Sequence, residues 1–190
     1  AVTGTVALVA AWVARTLAGW ALWQAVALVL VVMVVPASIT WRATAQRYGL
    51  TAAIAGALVT VQGLHSVEHG VQWVQRHVMH QPLRLSNGLL SPANSEWVHF
   101  VWNWLVLLTV VVLFVRGMRG WWGWAILLFA TAHTLEHTYM WVRFLQVSAE
   151  LRELGQGNIT AQGLPGLVGR GGWLDLNAGP RLDVICGMPF

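Results

Sequence analysis

The stretch EWVHFVWNWLVLLTVVVLFV, residues 96–115, decides the fold class. Its one charged side chain, Glu96, stands at the first position, and beyond it only His99, Asn103 and Thr109 are polar. An α-helix rises 1.5 Å per residue, so the run reaches about 30 Å, the thickness of a bilayer's hydrocarbon core. A segment of that length and polarity reads as a membrane-crossing helix.

Three further apolar segments, at about 5–36, 50–75 and 121–146, carry the same message. The whole chain of 190 residues is 57% hydrophobic and 9% charged, and its mean hydropathy of +0.61 lies outside the range of soluble domains. The expectation is an all-α integral membrane protein with four transmembrane helices. Residues 1–146 form the membrane domain, and 147–190 a Gly-rich, irregular extramembrane tail. The first segment exceeds the apolar core of a secretory signal, so it is expected to be retained, tilted or partly interfacial around Arg15. Ser91 and Pro92 in SPANS offer a cap and a first helical residue for the third helix.

The basic residues are eleven Arg, giving a formal charge of +4 that headgroup contacts account for without nucleic acid. The links WRATAQRYG (41–49) and RGMRG (116–120) are short, hold Arg42, Arg47, Arg116 and Arg119, and contain no acid. The positive-inside rule puts them in the cytoplasm of a bacterial cell, which leaves the opposite helix ends extracytoplasmic. Most of the 13 Trp fall where interfacial belts belong. One cysteine, Cys186, excludes a thiolate cluster within the chain.

Two stretches break the apolar pattern in the same way. HSVEHGVQW (65–73) and HTLEHTYMW (133–141) place His65, Glu68, His69 and Trp73 against His133, Glu136, His137 and Trp141. Identities at one offset point to a duplicated helical hairpin. On a helix, positions i, i+3 and i+4 share a face, so each copy makes one His/Glu/His patch. The order H-x-x-E-H is that of inverted zinc hydrolases, and Glu96 with His99 has the E-x-x-H spacing of carboxylate-bridged dimetal bundles.

Depth joins the three helices. His65, His99 and His137 each lie 17 or 18 residues from a link arginine, Arg47, Arg116 or Arg119, about 26 or 27 Å along a helix. The loop residues His77 and His80 lie just beyond. An ionisable side chain within a membrane helix costs about 2.5–3.5 kcal/mol on insertion scales, and metal ligation offsets that cost.

The expected metal ligands are therefore His65, Glu68, His69, Glu96, His99, His133, Glu136 and His137, enough for two ions, with Glu68 and Glu136 as the catalytic carboxylates. Imidazole and carboxylate favour iron or copper, with zinc as a further option. The corresponding function is a metal-dependent oxidoreductase, or the metal-bearing subunit of one, acting on a lipophilic or gaseous substrate. Two alternatives stand beside it: a non-catalytic subunit of a larger membrane complex holding haem, chlorophyll or a quinone, and an intramembrane zinc hydrolase. The expected partners are the lipid bilayer and either other membrane subunits or further copies of the chain.

Overall fold

The computed structural model describes residues 2–82, 85–159, 164–168 and 172–178. The described residues contain helices and turns but no strand. Three of the helices, Leu22–Tyr48, Leu50–Val78 (with its terminal π turn) and Glu96–Val115, are long and apolar enough to cross a membrane. The chain divides into two compact units, Ala1–Asn94 and Ser95–Phe190.

In the first unit the expected helix over 5–36 is two helices, α1 (Val2–Leu17) and α2 (Leu22–Tyr48). Gly19, at φ 68°, makes the break with a backbone conformation that L side chains disfavour. The Trp20 N–H folds back onto the Ala14 carbonyl, and Arg15 Nη1 donates to the Trp20 carbonyl at 2.6 Å. Gln24 then starts α2 by accepting the Ala21 N–H, the reaching-back half of a capping box.

A second difference concerns the link WRATAQRYG, which is helical. α2 runs through Pro36 as far as Tyr48, and α3 (Leu50–Trp73) starts after Gly49 alone. No glycine or proline interrupts residues 37–48, so nothing in the local sequence breaks the helix before Gly49. Gly49, at φ 87°, reverses the chain in a single residue. α2 packs against both α1 and α3, and Ala7, Ala11, Ala25 and Ala53 are the buried apolar residues of this unit. Small side chains let helix backbones approach closely, the usual device where lipid rather than water is the competing environment. α3 ends in a π turn, Val74–Val78.

Ser91 and Pro92 belong to a 3-10 turn, Ser91–Asn94, at the end of the first unit, and in the second unit α4 (Glu96–Val115) begins after Ser95. The helix therefore starts later than the SPANS signal implied: the 3-10 turn and Ser95 both lie ahead of it. α5 (Trp121–Glu153) outruns the expected 121–146, taking in the first residues assigned to the tail. α4 and α5 are joined by a tight turn and pack side by side. Gly123 is needed at that turn, because a Cβ there would run into the Met118 carbonyl. A short helix, α6 (Trp173–Ala178), follows, and its Trp173 and Leu174 N–H groups are satisfied by the Gly166 and Leu167 carbonyls.

The pattern of exposure is that of helices made for lipid. Val35 on α2 is 64% exposed and Phe129 on α5 is 71% exposed, while polar Asn103 and Thr134 are each 2% exposed. Apolar atoms face outward and hydrogen-bonded polar groups face inward, which suits a hydrocarbon solvent. The chain is a helical membrane protein.

Candidate metal centre

α3 carries the first motif. His65, Glu68, Gln72 and Gln75 fall at i, i+3, i+7 and i+10 and so line one stripe of the helix, with His69 beside it. The His65 and His69 rings meet edge to face, centroids 4.5 Å apart and planes at 83°. Their Nε2 atoms are 3.1 Å apart. His69 Nδ1 lies 3.0 Å from Gln72 Oε1. An amide oxygen only accepts, so the His69 proton sits on Nδ1 and its Nε2 lone pair faces His65.

Glu68 is held from the other side of the stripe. Its Oε2 accepts the Leu89 N–H at 2.9 Å and its Oε1 the Leu90 N–H at 2.8 Å. Gln75 brackets the preceding residue, its Oε1 accepting the Gly88 N–H at 2.8 Å and its Nε2 donating to the Gly88 carbonyl at 3.3 Å. Gly88 has φ 70°, and a Cβ there would collide with the Glu68 carboxylate.

α4 and α5 carry the remaining candidates. Glu96 and His99 are both buried on α4. His99 Nδ1 lies 3.2 Å from the Ser95 carbonyl, which fixes its proton on Nδ1 by the same reasoning as for His69. The His99 ring stacks on His137 of α5 at 5.2 Å, so these two residues meet at one level of the helix pair. His137 in turn meets His133 edge to face at 4.7 Å and 80°. The second motif thus reproduces the ring geometry of the first almost unchanged.

A buried polar ladder locks this register. Asn103 Nδ2 donates to the His99 carbonyl at 2.9 Å, and Thr134 Oγ1 donates to the Asn103 and Ala130 carbonyls at 3.1 and 2.7 Å. Trp104 Nε1 adds a bond from α4 to Thr138 of α5 at 3.2 Å. Glu136 is held as Glu68 is: the N–H groups of Leu167 and Val168 bond to its carboxylate, the latter at 3.3 and 3.4 Å to its two oxygens. A Cβ on Gly166 would collide with that carboxylate.

His77 lies in the π turn with its ring 5.3 Å from Trp73, and His80 takes a positive φ of 53° in the turn that follows. Neither is drawn to the His65/His69 pair by any bond described. The sequence-based reading missed four contributors: Gln72, Gln75 and the two loop glycines, Gly88 and Gly166. The glycines had a visible signal, since Gly88-Leu89-Leu90 and Gly166-Leu167-Val168 are the same small-apolar-apolar triplet, each following one motif helix.

These features define a class, a helical membrane protein with paired imidazoles and loop-bound carboxylates on its apolar helices. No protein-family model, curated protein or solved structure matches the chain.

Proposed function

We propose that the protein is a membrane-embedded transition-metal protein, with His65 and His69 ligating one ion through Nε2 and the second motif serving the same role. The observation that carries this reading is the 3.1 Å separation of the two Nε2 atoms. An ion about 2.05 Å from each nitrogen would subtend an angle of about 98° across that gap. That lies between the roughly 90° of an octahedral shell and the roughly 109° of a tetrahedral one.

Supporting features surround the pair. Gln72 holds His69, and the Ser95 carbonyl holds His99, in the tautomer with the proton on Nδ1 and the lone pair on Nε2, the usual role of groups behind a metal's ligands. The matching ring geometry of His133 and His137 extends the reading to the second motif. Glu96 and His99 offer further buried donors there. Nε2 atoms this close leave no room for a macrocycle between them, which favours a bare ion over haem or chlorophyll. Glu68, with each oxygen accepting a loop amide, is poorly placed as the free base a zinc hydrolase needs.

Nitrogen donors with nearby carboxylate suit iron or copper, and an ion of that kind in apolar surroundings serves electron transfer. The activity we assign is accordingly that of a metal-dependent oxidoreductase or its metal-bearing subunit. Copper(II) titration of the purified protein, read by electron paramagnetic resonance, tests the ligand assignment. Two equivalents of copper, each with nitrogen hyperfine structure from two imidazoles, falling to one in His65→Ala, is the expected result. A spectrum at two equivalents unchanged by His65→Ala and by His69→Ala overturns it.

A further inference from the structure

The two glutamates are conventionally read as ligands because they sit between paired histidines, but their oxygens point to a different partner. Glu68 takes the N–H groups of two consecutive loop residues, Leu89 and Leu90, and Glu136 takes those of Leu167 and Val168. In both cases the residue just before those donors is a glycine whose missing Cβ makes room for the carboxylate. Glycine, two apolar residues and a carboxylate therefore recur as one device in two loops that differ in length and surroundings.

Carboxylate bonds to backbone amides are charge-assisted and are stronger than neutral ones. In the first unit the Gln75 bracket on Gly88 adds two more bonds, so three successive N–H groups, 88 to 90, are bound to side chains of α3 and its terminal π turn. The clamps at Glu68 and Gln75 stand seven residues apart on the stripe, and Gln72, the residue that orients His69, lies between them with its Nε2 buried. In the second unit the far side of the loop is bonded in turn by the first N–H groups of α6.

We infer that Glu68 and Glu136 are loop latches rather than metal ligands: each commits its carboxylate to backbone amides and fastens the loop after its helix to the helix that carries the histidine pair. The role is one of positioning, and only its bearing on the ligand set rests on the metal reading above. It makes the repeat larger than the helical pentapeptide, because the G-L-[L/V] loop is its second half.

The test uses the full chain in detergent micelles, with zinc as the probe, and compares wild type with Glu68→Gln and Gly88→Ala. Two quantities are read: hydrogen exchange at the Leu89 and Leu90 amides, and the equilibrium affinity for zinc by competition with a chelator. Loss of one charge-assisted bond should raise loop opening roughly 10- to 100-fold. Exchange at both amides should rise by that factor, while the equilibrium zinc affinity changes little. A weaker affinity with unchanged exchange identifies Glu68 as a ligand and overturns the latch. Unchanged exchange at Leu89 and Leu90 overturns it as well. Wild type that binds no zinc, copper or iron sinks the metal reading instead, and the exchange data then still decide whether the carboxylate holds the loop.

Discussion

Replacing Gln72 with Leu separates metal binding from stability. Gln72 does one thing for the site, accepting the Nδ1–H of His69 at 3.0 Å. Leucine removes that acceptor, and His69 is then free to turn or to move its proton to Nε2, where it blocks the lone pair needed for ligation. Loss of such an orienting partner weakens metal binding about 10- to 100-fold, or about 1.4–2.8 kcal/mol.

The same substitution removes a buried donor, Gln72 Nε2, that has no partner among the described residues. A buried unsatisfied group costs about 1–3 kcal/mol, so the metal-free protein should be no less stable with leucine and is expected to gain. Affinity falls while stability holds or rises, an opposition that general damage to the fold does not produce. Zinc competition against a chromophoric chelator reads the first quantity, and thermal unfolding of the metal-free protein followed by circular dichroism reads the second. Gln72→Glu keeps an acceptor at the same place and should retain wild-type affinity or exceed it. Wild-type affinity in Gln72→Leu, in a protein that does bind zinc, refutes the reasoning.

Other outcomes follow from the same geometry. Thr134→Val, which deletes the hydroxyl bonded to Asn103 and Ala130 carbonyls, should cost about 1–3 kcal/mol in the α4/α5 unit and lower its unfolding temperature. Gly123→Ala drives a Cβ into the Met118 carbonyl, so the turn between α4 and α5 must open, and thermal unfolding should show a loss of more than about 1 kcal/mol. Glu136→Gln should leave metal content near wild type while exchange at the Val168 amide accelerates; loss of the metal with unchanged exchange would instead mark Glu136 as a ligand.

Much of the helical framework was legible because membrane helices are marked by uninterrupted apolar length. Residues 96–115 and the start of α5 at Trp121 follow directly from that signal. The break at Gly19 was hidden because alanine and tryptophan around it keep the segment apolar, and only the conformation of one glycine divides it. The extension of α2 to Tyr48 was hidden because Arg42, Arg47 and the polar residues beside them end the apolar run without ending the helix.

At the site, the histidine pairs were visible as i, i+4 spacing, and the meeting of His99 with His137 follows from equal distances to the turn between α4 and α5. What composition and spacing could not reveal was the direction of the carboxylates. Glu68 shares a helix face with His65 and His69, yet a long flexible side chain on that face can point to a metal or to a loop. The choice depends on backbone amides at 89, 90, 167 and 168, which carry no side-chain signature beyond the glycine that precedes each pair.

The most direct test of the central claim is the elemental composition of the protein purified without added metal, set beside that of a His65→Ala/His69→Ala variant shown by circular dichroism to be folded. A bound iron, copper or zinc ion in the wild type, reduced by at least one ion per chain in the double variant, is the predicted result. Wild type and variant with the same metal content would contradict it.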